Sequence, residues 1–529
     1  MDVDLTIKNY RCFPDSHPAK ISIRRGFTAF IGVNNSGKSS LLKFFYEFRH
    51  LFGRLADPSS LQNALTQTQA FEMQKVILDT AELFHNGNDR DMQVMMRFPE
   101  AGTLDKPLLA CVTITILRNT NTFRVAFTVG AREWDNSVIT IDGNHLFLRK
   151  DPPIQQQVPI DLSAFYKICQ QLTQVLYIGP FRNAINVGTN EDYFDIQIGQ
   201  AFVKAWKTFK MGNIKQRNEA AYRLTNDIKR IFDFDDLQID PAEGDTTLQV
   251  LVNGKSYKLP EVGSGITQFI LVLANAAIKR PSWILIDEPE SNLHPSLQLD
   301  FLTTLASYAD QGIMFATHSI GLARAGAERV YTVQKIKQGE SRVDEFETIP
   351  RLSEFLGELS FAGYQDVGFE RVLLVEGSTE VKTFQQFLRQ HGKDHTVVLL
   401  PLGGNDLIKE SSEAELLEIK RITENVSAII DSERTSPNEP LGNARKSFVE
   451  VCGRVGIKCC VLERRATENY LSDVAIKRVK GEKYRALGPF EKIADTAMAW
   501  SKSENWRIAR EMTKDDLQGT DLGKFFEKL

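Results

Sequence analysis

Apolar and polar positions alternate most clearly across residues 111–130. Val112, Ile114 and Ile116 are spaced by threonines, and Phe123, Val125, Phe127 and Val129 by polar or small residues. With "NTNT" as the turn, this period of two predicts a β-hairpin. "DVDLTIKNYRCF" and "KISIRRGFTAFIG" read as two strands, the second running into a glycine-rich loop, and "SSLLKFFYEFRHLF" reads as the helix that follows. Residues 50–110 read as mostly helix and loop, "QVLYIGPFR" as a strand, and 199–232 as helical with many basic residues. "SWILIDE" and "GIMFATHS" are short unbroken apolar runs, the pattern of strands buried on both faces of a parallel sheet. After "RVYTVQK" comes a polar stretch, 336–368. The chain then restarts as strand, helix, strand through "RVLLVEG", "STEVKTFQQFLRQHG", "HTVVLLPLGG" and "NVSAIIDSE", which predicts a domain boundary near 365. No heptad array is present, which argues against a long coiled-coil arm.

Composition narrows the class. At 529 residues, two to four domains are expected. The longest apolar run, "FILVLANAAI", is too short to span a bilayer, and "MDVDLTIKNY" lacks the basic and apolar regions of a secretory signal. The six cysteines show no CxxC spacing and read as reduced thiols. A cytoplasmic protein is expected. A net charge of −4 means that any nucleic-acid contact must come from a local patch. The basic run from Lys204 to Arg230 is a candidate for that patch, and equally a solvated helix face.

Two constellations carry chemistry. In the first, Gly32-x4-Gly37-Lys38-Ser39 stands between an apolar strand and a helix. Backbone N–H groups of such a loop, here including Asn35, Ser36 and Ser40, wrap phosphates; Lys38 reaches the β and γ phosphates, and the Ser39 hydroxyl can bind Mg²⁺. "ILIDEPESNLHP" ends an apolar run on Asp287, placed to hold Mg²⁺ and its water, and Glu288, placed to polarise the attacking water. His318 closes the next apolar run, where it can sense the γ-phosphate or serve as a structural histidine. With "EVGSGITQFILVLA", this set resembles the ABC-type ATPases of the SMC and DNA-repair class. That resemblance implies ATP and Mg²⁺ as cofactors. It also implies that Gly263, Ser264 and Gly265 cap ATP bound by another subunit, hence a homodimer or larger oligomer through the ATPase heads. The order of the signature residues is altered here, and no Q-loop glutamine is assigned.

In the second constellation, "VLLVEGSTE" delivers Glu376 at a strand end and Glu380 one turn into the next helix, and "VSAII" ends on Asp431-Ser432-Glu433. Strand carboxyl ends are where an open α/β sheet gathers ligands. Hard carboxylate oxygens suit Mg²⁺ or Mn²⁺, and two such ions can serve a phosphodiester displacement. This pattern, with Gly403 and Gly404 in "PLGGN", resembles the Toprim domain. An ABC-type ATPase followed by Toprim, with "YIGPFR" and "VEGSTE", resembles the OLD (overcoming lysogenization defect) nucleases, whose relatives include the Gabija anti-phage nuclease.

The resemblance implies an α/β architecture: an ABC-type P-loop ATPase head with a mixed sheet and helical insertion, then a Rossmann-like Toprim domain. The expected division is 1–365 for the ATPase, with insertions at about 48–175 and 185–245, and 366–529 for Toprim with a C-terminal helical extension. It implies metal ligands at Glu376, Glu380, Asp431 and Glu433, and a further acid for which "LERRATENYL" offers Glu463 and, preferred, Glu468. Glu376 and Asp431 would be catalytic. The family's supporting lysine is not placed; Lys480 and Lys483 are candidates. The expected activity is ATP hydrolysis with Mg²⁺- or Mn²⁺-dependent endonuclease action on nucleic acid, DNA first, in antiviral defence. The competing reading is an ATPase sensor or scaffold with a non-cutting Toprim fold and a partner protein. A topoisomerase or primase module is a third, disfavoured because no tyrosine stands in a recognisable active-site context.

Overall fold

The computed structural model describes residues 2–529 apart from 75–76, 78, 100–108, 119, 131, 149–158, 181–191, 337–338, 347–369, 395, 403–412, 414–415, 418 and 421–424. The chain divides into two compact units, Met1–His318 with Arg329–Phe346, and Ser319–Glu328 with Glu347–Leu529. The boundary expected near 365, the Gly403–Gly404 turn and the end of "YIGPFR" lie outside the described residues.

Two sheets organise the first unit. One is antiparallel, in the order Ala19–Ile23, Val3–Lys8, Met92–Arg97, Leu109–Ile116, Thr122–Val129, with Gln69–Ala70 at its edge and Arg132–Trp134 off the Thr122–Val129 strand. Its strands bury alternate residues, such as Val3, Leu5 and Ile7, as a one-sided sheet requires. The other sheet runs Val175–Ile178, Trp283–Asp287, Gly312–Thr317, Gly26–Ile31, Arg329–Lys335 and Ser341–Glu345, parallel but for the last strand. Its central strands are buried throughout, matching their unbroken apolar runs. The helix Lys38–Glu47 places Leu41, Leu42, Phe44 and Phe45 in one core with side chains of both sheets. Helices Gly199–Met211, Lys215–Ile231 and Ser264–Lys279 pack on one another.

Two expectations are corrected. "KISIRRGFTAFIG" is two strands in different sheets, because the Arg24–Arg25 pair, with Arg25 exposed, turns the chain between Ile23 and Gly26. Among the described residues of the 50–110 region the α-helices end at Thr66, a single 3-10 turn follows at Thr80–Leu83, and Met92–Arg97 is a central strand, with Met92, Val94 and Met96 facing inward.

The second unit holds a four-stranded parallel sheet in the order Val397–Pro401, Arg371–Val375, Val426–Ile430, Lys458–Val461. The helix Ser378–Gln390 follows the second of these strands, and the helix Asn443–Val455 contributes Phe448, Val451 and Cys452 to the core. The short helix Ile320–Gly326 belongs to this unit, packing on Ser378–Gln390 and Val397–Pro401. Glu328 at its end forms an ion pair with the fully buried Lys382. Short helices, among them Asp473–Lys480, Asn505–Arg510 and Asp521–Lys528, complete it. No helix among the described residues is long and apolar enough to cross a membrane.

Candidate functional sites

In the first unit, the strand Gly26–Ile31 ends at the loop that wraps back to start the Lys38–Glu47 helix. Gly37 has φ 106°, and a Cβ there would stand 2.5 Å from Cys12 Sγ, so any other residue would strain and crowd the loop. A Cβ on Gly32 would meet the Val333 carbonyl at 2.2 Å. Asn35 is exposed at the tip with φ 59°, Ser36 is buried behind it, and Ser40 accepts from the Tyr10 hydroxyl through its carbonyl. Lys38 Nζ donates to the Gly32 carbonyl at 2.7 Å and the Val33 carbonyl at 3.0 Å. Burial pulls the Lys38 ammonium below its ordinary range, while the carboxylates of Asp287, Glu288 and Glu290 act in the opposite direction. The loop lysine and the acidic strand end therefore share one site.

Asp287 is buried, and burial raises its carboxyl although the Ser39 hydroxyl hydrogen-bonds to it. Ser39 and Asp287 are thus an oxygen pair of the kind that would hold Mg²⁺. Glu288 adopts φ 51°, an uncommon conformation for a non-glycine residue, and its carboxylate accepts from Ser291 Oγ at 3.1 Å. His318 Nε2 lies 3.5 Å from Glu288 Oε1. Glu290, which sequence reasoning passed over, fixes that histidine: its Oε1 accepts from Thr317 Oγ1 at 2.7 Å and from the His318 N–H at 2.9 Å. Its signal was present in "DEPES" but carries no spacing rule of its own.

Gly263, Ser264 and Gly265 stand at the N-terminus of the Ser264–Lys279 helix, with Gly263 and Ser264 exposed and no side chain capping the end. Its first N–H groups therefore face outward with the positive end of the helix dipole. Arg11 pairs with Glu47, which also accepts from the Tyr10 hydroxyl at 2.7 Å.

In the second unit, Glu376 and Asp431 leave adjacent parallel strands at the same sheet edge, and Glu376 Oε1 accepts the Asp431 N–H at 2.9 Å. Glu380, in the first helical turn, folds back over Gly377, where a Cβ would lie 3.1 Å from its Oε2; that oxygen also accepts from Thr379 Oγ1. Asp431 Oδ1 accepts from the N–H and hydroxyl of Thr467, at 2.9 and 3.1 Å. Glu468 is buried, with Oε1 2.9 Å from Lys502 Nζ and Oε2 buried without a partner among the described residues. Lys502 Nζ is also 4.0 Å from Asp431 Oδ2.

Burial, then Glu380, Glu376 and Glu468, push the Asp431 carboxyl well above the usual carboxylate range, with Lys502 opposing. Burial also raises Glu376, Arg445 lowers it and Glu380 raises it further. Burial works against the Lys502 ammonium, yet Glu468 and Asp431 hold it above its ordinary value. Four carboxylates thus act on one another at one edge, with Lys502 and Arg445 as counter-charges.

Glu433 lies at the margin of that group, and its charge acts on Glu376. Its carboxylate pairs with Arg465 and lies 4.0 Å from Arg445, the arginine that also faces Glu376. Glu463 is exposed, Lys480 pairs with Glu504 at 2.8 Å and Lys483 is exposed. Lys502, Thr467 and Arg445 were not found from the sequence; "WSKSENW" carries no motif that marks Lys502.

Among the described residues no group of three or more His, Cys, Asp or Glu side chains is arranged to hold a metal ion as it stands. The physical reason is visible in the contacts: Arg445 spans both Glu376 oxygens at 3.4 Å, and Lys502 is bound to Glu468. In kind, however, the donors fit a hard divalent cation: they are all carboxylates, and one buried oxygen, Glu468 Oε2, lacks a partner among the described residues.

Comparison with known proteins agrees with the first site. Residues 1–108 and 183–323 match the family model of an AAA ATPase domain. The glutamate transport ATP-binding protein GluA of Corynebacterium glutamicum is 32% identical over 117 residues, 21% of this chain and 48% of that protein. The glutamine transport ATP-binding protein GlnQ of Escherichia coli is 31% identical over 83 residues, 15% of this chain and 35% of that protein. The chain thus spans about half the length, or less, of these curated relatives. Among solved structures, the SMC head domain from Thermotoga maritima is matched at 14% identity and TM-score 0.33, over 65% of this chain and 98% of that one. The Smc head domain with an extended coiled coil from Pyrococcus furiosus is matched at 10% identity and TM-score 0.34, over 68% and 100%. The family match and the P-loop geometry together support a P-loop, ATP-binding character for the first unit.

Proposed function

We propose that the chain is an ATP-hydrolysing, divalent-metal-dependent nuclease of the OLD type, acting on nucleic acid, DNA first, in defence against phage or other foreign DNA. The observation that carries this reading is the group of Glu376, Glu380, Asp431 and Glu468 at one edge of a parallel sheet, with Lys502 facing it. Burying several acids together destabilises a fold until a cation or proton offsets their charge, and such clusters concentrate at functional sites.

Glu376, Glu380, Asp431 and Glu468 would hold Mg²⁺ or Mn²⁺, which supplies charge neutralisation for a phosphodiester displacement. The chain's own part is positional. The Asp431 N–H orients Glu376, Thr467 orients Asp431, and Gly377 lets Glu380 fold back to the edge. Lys502 is placed to neutralise phosphate charge. At the ATPase, Ser39 and Asp287 would hold Mg²⁺, Glu288 orients the water, and His318, fixed by Glu290, reports the γ-phosphate. Gly263, Ser264 and Gly265 cap the ATP of a second copy, giving a homodimer.

A second reading, an ATPase sensor or scaffold whose second unit does not cut, is favoured by one observation. The carboxylates are tied to Arg445 and Lys502 rather than set as a ligand group. Incubating pure protein with plasmid and Mg²⁺ or Mn²⁺, with and without ATP and beside Asp431→Asn, separates the two. Cutting by the wild type and not by the variant supports the nuclease; equal backgrounds in both support the sensor.

A further inference from the structure

The Tyr177 hydroxyl is an unexplained group in the ATPase unit. Tyr177 is fully buried, its ring 5.3 Å from that of Tyr46 and 5.0 Å from that of Phe194, and its hydroxyl has no hydrogen-bond partner among the described residues. An unpaired buried hydroxyl is destabilising, so tyrosine in place of phenylalanine calls for a reason.

Strand geometry shows where the ring points. Tyr177 lies beside Leu285 in the parallel ladder, and both belong to the core that includes the Lys38–Glu47 helix. Side chains two residues apart on a strand share a face, so Asp287 emerges on the face of Leu285 and Tyr177. On the next strand Met314 and Ala316, paired with Leu285 and Asp287, lie in the same core. The neighbouring residues Leu176, Ile178, Ile284 and Ile286 are buried outside that core. Tyr177 and Asp287 thus share the space beneath the helix that begins with Lys38 and Ser39. The charge of Asp287 is the largest influence on the Tyr177 hydroxyl after burial itself, consistent with that placement.

We propose that Tyr177 is a positioning residue of the nucleotide site, its hydroxyl donating, directly or through one water, to the Asp287 carboxylate when Mg²⁺ and ATP are bound. Asp287 then has a donor on each side: Ser39 from the loop helix and Tyr177 from the neighbouring strand. The role is aimed at the cation, so it differs from general support of the nucleotide.

Tyr177→Phe tests this in the full-length chain carrying Glu288→Gln, with a fluorescent ATP analogue. The Mg²⁺ concentration for half-maximal analogue binding is expected to rise about fivefold, the worth of one hydrogen bond. Binding in EDTA is expected to stay the same, and the melting temperature in EDTA without nucleotide to stay the same or rise, because an unpaired hydroxyl has gone. An unchanged Mg²⁺ requirement overturns the proposal. An equal loss of affinity with and without Mg²⁺, or a lower melting temperature in EDTA, overturns it too, by making Tyr177 a structural residue.

Discussion

Replacing Asp431 with asparagine removes one charge from the acidic edge and little else. The asparagine oxygen can still accept from the Thr467 N–H and hydroxyl, so two buried donors stay paired. The attraction of Lys502, 4.0 Å away, is lost; at an effective dielectric of about 20 that is worth about 4 kcal/mol. Lys502 is 44% exposed, and solvent screening reduces this figure. Against it stand burial and the repulsion of Glu380, Glu376 and Glu468, and these win, because the carboxyl is pushed upward on balance. Asp431→Asn is therefore expected to stabilise the cation-free protein and raise its melting temperature in EDTA, by about 2–4 °C for each kcal/mol gained in a unit of this size. Asp431→Ala removes the same charge but strands the Thr467 donors, at about 1–3 kcal/mol, and should melt below the asparagine variant. Scanning calorimetry in EDTA measures both, and a repeat in Mn²⁺ should raise the wild type alone. An asparagine variant that melts below the wild type in EDTA would refute the electrostatic argument, and one stabilised by Mn²⁺ as much as the wild type would refute the ligand assignment.

Lys38→Ala is expected to abolish ATP turnover by removing the charge that meets the phosphates, whereas Glu288→Gln should block hydrolysis and leave binding within about threefold, since it acts on water; phosphate release and equilibrium binding check the pair. With ATP, the Glu288→Gln protein should run as a dimer or larger by light scattering, and a persistent monomer would count against capping by a second copy. Gly37→Ala should cost about 1–3 kcal/mol from its positive φ and weaken nucleotide binding, with Cys12→Ala restoring only part, because the second change relieves the 2.5 Å approach and leaves the strain.

Local chemistry was legible in the sequence; tertiary chemistry was not. Gly32 to Ser40 and Asp287–Glu288 announce themselves because loop, strand end and helix start are contiguous. Glu376 and Asp431 were visible for the same reason, each ending an apolar run. Met92–Arg97 escaped because methionine is a weak marker of strands, and only its pairing with Val3–Lys8 and Leu109–Ile116 explains its inward face. The ion pairs of Glu433 depend on Arg465, 32 residues away, and on Arg445. Lys502 sits where short turns replace periodic structure, so nothing in its neighbours signals its approach to Glu468.

The assignment of Ser319–Glu328 to the second unit means that the chain passes between the units three times, after His318, Glu328 and Phe346. No single cut separates them cleanly. A fragment beginning at residue 347 would lack the Ile320–Gly326 helix and deprive buried Lys382 of Glu328, while the complementary fragment would carry those ten residues away from the sheet on which they pack. The segments of the two units alternate along the sequence, so a recombination that joins a new C-terminal unit after 346 leaves Ser319–Glu328 without the elements on which it packs. A functional exchange would have to replace two segments of the gene together.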